Sequence, residues 1–332
     1  MTKPRISDSI VVIGGGTGSF TVLSGLKKYT NNLSAIVNMA DDGGSTGQLR
    51  DELGVLPPGD IRQCLVALSS SPKLRDLFNY RFEKGSLEGH AFGNIFLTAL
   101  EKMTGCFADA VDLADEVLNV QGRVIPVTLD NVHLTMQQNN QRDIIGEHQI
   151  GNMSFKKQQI RPKLALDPKA KINPEAKRAI LEADLVVIAP GNLYGSLAPT
   201  LLVEGMEKAL KQSSAKLIYV CNLVTKPGQT DNFTVDDFAS EIERFIRGRK
   251  LDFVLYNTAQ PNPKLVSLYQ KDGEQLVMAG PSKSKGNNCQ MLGFQLIASS
   301  RVIYSKSDKI AKNRSFIRHN PDLLAQQIIR LV

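Results

Sequence analysis

The stretch Ile10-Val11-Val12-Ile13-Gly14-Gly15-Gly16-Thr17-Gly18-Ser19 decides the fold. Four consecutive aliphatic residues read as a strand buried on both faces, because a half-exposed strand would alternate apolar and polar positions. The glycines behind it let the backbone turn tightly and approach a phosphate, and the helix that follows offers unpaired N–H groups at its start. The spacing predicts a strand over Ile10–Ile13 and a helix over Phe20–Tyr29.

The pattern repeats along the chain. Further strands are expected at Leu33–Val37, Val124–Thr128, Leu185–Ile188, Leu217–Val220 and Phe253–Tyr256. Helical patterns lie between them at Asp60–Ser69, Asn94–Met103, Phe107–Val120, Pro174–Ala183, Leu201–Lys211 and Val235–Ile246, and a last helix is expected to begin at Pro321. Short strands alternating with helices imply βαβ units and a mostly parallel sheet with helices on both faces, an α/β class. One segment breaks the rhythm. Asn131–Gln137 and Asp143–Gln149 alternate around Asn139-Asn140, which predicts a β-hairpin. The chain is read as one domain, residues 1–332, with an insertion over about 131–172.

The composition is that of a globular protein: 332 residues, 42% hydrophobic, 22% charged and 6% aromatic. The four cysteines form no CxxC, so neither a disulfide framework nor a zinc knuckle is indicated. No apolar run reaches membrane-spanning length, and the polar start Met1–Ser9 does not read as a signal peptide, so a cytoplasmic protein is expected. The net charge is +7, and residues 151–178, with eight basic and two acidic side chains, hold most of it. With Phe155 as its one aromatic residue, that stretch lacks the stacking groups of a nucleic-acid footprint. It is expected to be a solvated loop or a flap over an anionic ligand.

Polar residues gather behind the strands. The first leads into Gly14–Ser19, the second into Asp41-Asp42-Gly43-Gly44-Ser45-Thr46-Gly47, and the fourth into Pro190-Gly191-Asn192-Leu193-Tyr194-Gly195-Ser196. The fifth leads into Cys221-Asn222-Leu223-Val224-Thr225-Lys226-Pro227-Gly228. In a parallel sheet these loops share one edge, where ligands bind at the reversal of strand order. The first loop is no Walker A motif, since no Gly-Lys-Ser/Thr follows, and its third dinucleotide-fingerprint position holds Ser19 instead of glycine. A nicotinamide-dependent oxidoreductase therefore rests on that loop alone. Asp41 and Asp42 either coordinate Mg²⁺ or ligand hydroxyls, or serve as turn and cap residues. Asp60 either serves the site or caps a helix, and His90 and Asn94, flanked by Gly89 and Gly93, either face a ligand or cap a helix. Arg318 precedes a helix start, a position unfavourable for a cation unless an anion sits nearby.

Together these motifs resemble the YvcK-like gluconeogenesis factors of the CofD/UPF0052 family. The resemblance rests on Gly14–Gly18, Ala40–Gly47 with Leu49-Arg50, Leu56–Arg62, Gly89-His90 with Gly93-Asn94, Ala189-Pro190-Gly191 with Tyr194 and Ser196, Val220-Cys221-Asn222, Thr225 with Pro227-Gly228, and Ile317-Arg318-His319. It implies a Rossmann-like, doubly wound fold, usually dimeric, and a cytoplasmic protein that binds UDP-sugars such as UDP-N-acetylglucosamine and supports cell shape and growth on gluconeogenic carbon. Contacts fall on Thr17 and Arg318. On this reading the pyrophosphate lies on Gly14, Gly15, Gly16, Thr17, Gly18 and Ser19. Asp41, Asp42 and Asn222 meet hydroxyls, and His90, Asn94, Gly191 and Tyr194 complete the site. The CofD branch implies the alternative, a 2-phospho-L-lactate transferase using a nucleotide-activated donor and Mg²⁺ held by Asp41 or Asp42. That branch continues its Asp-Asp loop into a Gly-Leu-x-Ile-Ser-Pro-Asp pattern, which Gly43–Gly47 lacks.

Overall fold

The computed structural model describes residues 6–137, 142–155, 161–280, 289–298 and 317–332. The chain opens with β1 (Ile10–Gly14), α1 (Gly16–Leu26) and β2 (Leu33–Val37). Five helices follow: α2 (Gly44–Leu53), α3 (Pro58–Leu68), α4 (Pro72–Asn79), α5 (Phe92–Thr104) and α6 (Phe107–Leu118), before β3 (Arg123–Pro126). The insertion holds β4 (His133–Gln137), β5 (Ile144–Ile145), α7 (Glu147–Gly151) and β6 (Lys163–Asp167). The second half runs α8 (Pro174–Leu181), β7 (Leu185–Ile188), a π-turn at Leu193–Leu197, α9 (Ala198–Leu201), α10 (Met206–Gln212), β8 (Lys216–Val220) and α11 (Val235–Phe245). It ends with β9 (Phe253–Asn257), α12 (Pro263–Lys271), β10 (Gln290–Phe294) and α13 (Pro321–Ile329).

Seven strands form one sheet in the order β10-β9-β8-β7-β1-β2-β3, every pair of them parallel. The chain builds outward from β1 through β2 to β3, returns to β7 on the other side of β1, and builds outward again to β10. The order reverses between β1 and β7, as in a Rossmann-like doubly wound fold. All five residues of β1 are buried, and burial of each aliphatic side chain contributes roughly 1.5–3 kcal/mol. Beside it, α1 packs on α3 and α13. Gly25 permits the last contact, since a Cβ there would sit 2.1 Å from the Pro321 carbonyl oxygen. At the head of α13, Asn320 accepts from the Asp322 and Leu323 amides.

Several expectations are corrected. The first helix begins at Gly16, not Phe20, so the glycines form its opening turn. The segment after β2 stays a loop through Gly43, as expected, but Gly44–Gly47 are the start of α2, with Gly44 at φ 46° admitting the chain into the helix. The helix expected over Leu201–Lys211 is broken into α9 and α10 at Gly205, where φ is 99°. The hairpin is reduced to β4 with a two-residue β5, because Glu147–Gly151 coils into α7; its turn at Asn139-Asn140 lies outside the described residues. The basic stretch, apart from Lys156 and Lys157, which also lie outside, is only partly loop, with Arg161 and Lys169 outside helix and strand. It supplies β6, which pairs antiparallel with β4, and the first turns of α8.

Candidate functional site

A cleft of about 420 Å³ opens at the carboxyl end of the sheet. Gly15–Gly18 and Thr21 form one wall, Pro190–Asn192 and Ser196 a second, Asn222–Lys226 a third, with Glu274 and Ile317–His319 closing it. These segments follow β1, β7 and β8, so the cleft sits where the strand order reverses. Helix α1 starts at Gly16 with no side-chain cap and no acid in its first turn. Its opening N–H groups therefore lack intrahelical acceptors and carry the positive end of the helix dipole into the cleft.

Close packing explains the glycines. A Cβ on Gly18 would lie 1.6 Å from the Pro190 carbonyl oxygen, and one on Gly15 would lie 2.1 Å from Asp60 Oδ2. The loop is thus held between the segment behind β7 and the carboxyl of Asp60 on α3. Asn222 joins the second and third walls: its Nδ2 donates to the Gly191 carbonyl at 2.7 Å, and its Oδ1 accepts from the Gly191 amide and the Tyr219 hydroxyl. Its amide is spent on holding the loops together rather than left open to hydroxyls.

Two cations line the cleft, Lys226 and Arg318. The Lys226 ammonium makes no hydrogen bond or ion pair among the described residues. Desolvation lowers its pKa, while Glu147 and Glu274 nearby pull it back up. Burial drops His319 to about 4, so its imidazole is neutral at physiological pH. Among the described residues, His319 Nε2 and Glu274 Oε2 are buried without a hydrogen-bond partner.

The acids predicted for the site lie elsewhere. Both oxygens of Asp42 accept amides at the start of α7, from Glu147 at 3.1 Å and His148 at 2.7 Å. Asp41 accepts the Gly43 amide at 3.0 Å. Behind the glycine loop, Asp41, Asp60 and Glu147 share one neighbourhood. Desolvation raises all three, and neighbouring carboxylates add to it: Asp41 and Glu147 push Asp60 well above the carboxylate range, Asp42 adds to the rise of Asp41, and Asp41 and Asp42 help bring Glu147 to about 7. No group of three or more His, Cys, Asp or Glu side chains among the described residues is arranged to hold a metal ion. With both Asp42 oxygens committed to α7, the acids as folded do not fit a resident Mg²⁺.

His90 and Asn94 belong to a separate network outside the cleft. Arg62 Nε donates to Asn94 Oδ1 at 2.8 Å and its Nη1 to Asn79 Oδ1 at 2.6 Å. Asn94 Nδ2 donates to Ser45 Oγ, which shares a 2.9 Å hydrogen bond with His90 Nδ1. Tyr194 is in the core, 1% exposed, edge-on to Phe155 and Phe245. Ser19 is buried on the inner face of α1, its hydroxyl close to Gly14. The structure therefore brings together Gly15–Gly18, Gly191, Asn222 and Arg318 of the expected set. Gly14, Ser19, Asp41, Asp42, His90, Asn94 and Tyr194 do not line the cleft.

Sequence reasoning missed Lys226, Glu274 and Glu147. The Lys226 signal was present, a cation beside Pro227-Gly228 in a loop behind a strand. Nothing local marks Glu147, which meets Asp42 from 105 residues away.

The profile of the family described as 2-phospho-L-lactate transferase CofD matches residues 10–297. A protein of Nostoc sp. (strain PCC 7120), provisionally named a gluconeogenesis factor, is 43% identical over 325 residues, 97% of this chain and 68% of that one. The gluconeogenesis factor of Listeria innocua is 35% identical over 333 residues, 100% of this chain and 96% of its own. A crystal structure of a UPF0052-family member from Bacillus halodurans superposes with a TM-score of 0.84 at 34% identity, covering 97% of this chain and 99% of that one. A parallel sheet reversing at an uncapped glycine turn, a matched profile over most of the chain and relatives alike over nearly all of it agree: the chain belongs to the CofD/UPF0052 family.

Proposed function

We propose that this protein binds a nucleotide sugar of the UDP-N-acetylglucosamine type and acts through that binding rather than through chemistry. By the resemblance to gluconeogenesis factors, we further propose that it works in the cytoplasm, as a homodimer, in cell shape and growth on gluconeogenic carbon. One observation carries the reading: the uncapped start of α1 opens into a cleft of about 420 Å³ that Lys226 and Arg318 also line. Cationic side chains and the free amides of a helix start around one hollow suit a diphosphate. The size suits a small ligand with polar ends. Asn192, Thr225 and Glu274 on the β7 and β8 side offer acceptors and donors for hydroxyls.

Thermal unfolding with UDP-N-acetylglucosamine tests it. At about 100 times the dissociation constant, the ligand should stabilise the protein by about 2.7 kcal/mol. UMP, with one phosphate fewer and no N-acetylglucosamine, should stabilise it less. No shift at millimolar UDP-N-acetylglucosamine would remove the reading. The transferase alternative draws on the family description, and the commitment of Asp42 to α7 weighs against its metal.

A further inference from the structure

A second cavity, of about 380 Å³, lies in the insertion half of the molecule, and none of its lining residues lines the first. Leu164, Ala165 and Leu166 of β6 form one wall, and the run Leu201–Gly205 with Lys208 forms the other. Successive side chains of a strand point to opposite faces. Three consecutive β6 residues on one cavity therefore mean that it meets the edge of the strand. Among the described residues that edge is open: β6 ends the small sheet β5-β4-β6, and its only ladder there is with β4. Among the described residues, no backbone hydrogen bond outside that ladder reaches residues 163–167.

The recess is closed at both ends by the chain itself. The Pro162 carbonyl accepts from Arg244 Nη2 at 3.1 Å, and Ala170 and Ile172 bond the backbone of Glu204. Its rim is basic. Lys169, Lys208 and Arg247 line it without a hydrogen bond or ion pair among the described residues. Of the two acids, Glu207 is already held by Lys211 at 2.6 Å.

We propose that this recess is a docking site for an extended acidic segment of a protein partner, which adds to β6 as a fourth strand. An aliphatic ligand would fill the apolar floor but leave the strand's edge amides and carbonyls unpaired, whereas a peptide backbone pairs with them. Carboxylates at alternate positions meet the basic rim, and the three lining residues of β6 span about 10 Å of contact. A second copy of this chain is disfavoured by shape, because its own β6 is tied down at both ends and cannot descend into the recess.

The test is fluorescence anisotropy with three fluorescein-labelled peptides: Asp-Val-Glu-Val-Glu-Val, the same peptide with alternate backbone amides N-methylated, and Lys-Val-Lys-Val-Lys-Val. The acidic peptide should bind at least tenfold more tightly than the other two. The double variant Lys169→Glu, Lys208→Glu, at two exposed positions, should lose at least tenfold for the acidic peptide while keeping the wild-type unfolding midpoint and sedimentation coefficient. Equal binding of the N-methylated peptide would overturn strand addition and favour a small amphiphile. Equal binding of the basic peptide, or no binding of the acidic one at millimolar concentration, would overturn the proposal. So would a variant that changes the oligomeric mass without changing peptide binding, which would make the surface a contact between copies.

Discussion

The carboxyl end of the sheet has two halves built from similar sequence, and they are put to different use. On the β1–β7–β8 side, glycine-rich loops leave an open cleft that the uncapped start of α1, Lys226 and Arg318 line. On the β2 side, an equally glycine-rich segment with two aspartates closes on itself and on the insertion, and its carboxyl groups are occupied. What separates them is the neighbour that the topology supplies. Behind β1 the chain meets the reversal of strand order, which leaves a gap. Behind β2 it meets α7, whose unpaired N–H groups take Asp42 as their cap. A Gly-Asp-rich loop at a strand end is therefore not a site by itself.

The sharpest way to break this comparison is Gly18→Ala. The added methyl would sit 1.6 Å from the Pro190 oxygen and 2.7 Å from its carbonyl carbon, so backbone must move at the wall of the cleft. Nucleotide-sugar affinity should fall at least a hundredfold, and stability by roughly 3 kcal/mol. Gly54→Ala is the control. That residue has a positive φ, at 62°, but nothing lies within 4 Å of its Cβ position, so it should lose roughly 1 kcal/mol and bind normally. Calorimetric titration and urea unfolding on the same preparations separate the two effects.

Next comes Asn94→Ala on the closed side. Arg62 is 5% exposed and depends on Asn94 Oδ1. Leaving a buried guanidinium short of an acceptor should cost roughly 2 kcal/mol in urea unfolding. Affinity for UDP-N-acetylglucosamine should stay within twofold, because Asn94 does not line the cleft. A tenfold loss of affinity would merge the two halves into one site.

The halves should also answer pH with opposite sign. Glu147 titrates near 7 in the folded protein and near ~4.3 when unfolded. Between those values the folded state holds a proton that the unfolded state has lost, so stability falls as pH rises through the window and levels off above it. Glu147→Gln should flatten that fall by roughly 2 kcal/mol between pH 5 and pH 8. His319 works the other way. With its folded value near 4 against about 6.5 unfolded, it stays neutral at neutral pH, and its contribution is lost as pH drops below about 6.5. The two windows overlap between about pH 4 and pH 7, so the contributions oppose each other in the wild type, and urea midpoints over that range should rise more steeply with pH in Glu147→Gln.

Much of the sheet was legible in the sequence because a strand buried on both faces is a continuous apolar run: Leu33–Val37 and Leu185–Ile188 match residue for residue. The missed elements had masked signals. Helices α4 and α12 begin at Pro72 and Pro263 behind capping Ser71 and Asn262, a start pattern that also reads as a turn. The cleft was legible as a set of strand-end loops, since position at the sheet edge follows from alternation alone. Which side chains face it was not, because that depends on distant partners. Asp42 looks like a ligand residue until a helix from the insertion claims it. Tyr194 looks exposed among Gly191, Asn192 and Gly195 until the π-turn over Leu193–Leu197 rotates it into the core beside Phe245.

The smallest effect discriminates between cap and metal at Asp42. Asparagine keeps one of the two acceptors, its carbonyl oxygen, and turns an NH2 donor toward the other amide, so it retains part of the cap. Asp42→Asn should therefore cost only about 0.5 kcal/mol, less than the roughly 1 kcal/mol of Asp42→Ala, which removes both acceptors from the Glu147 and His148 amides. A metal ligand would rank differently: losing the charge would matter as much as losing the side chain. The readout is nucleotide-sugar affinity measured with and without millimolar Mg²⁺. If Asp42 caps α7, the ratio of the two affinities is the same in wild type and both variants, and only the unfolding midpoints move. A ratio that collapses in Asp42→Asn would show that the β2 side opens to ligand, and the contrast between the two halves would then be one of occupancy instead of construction.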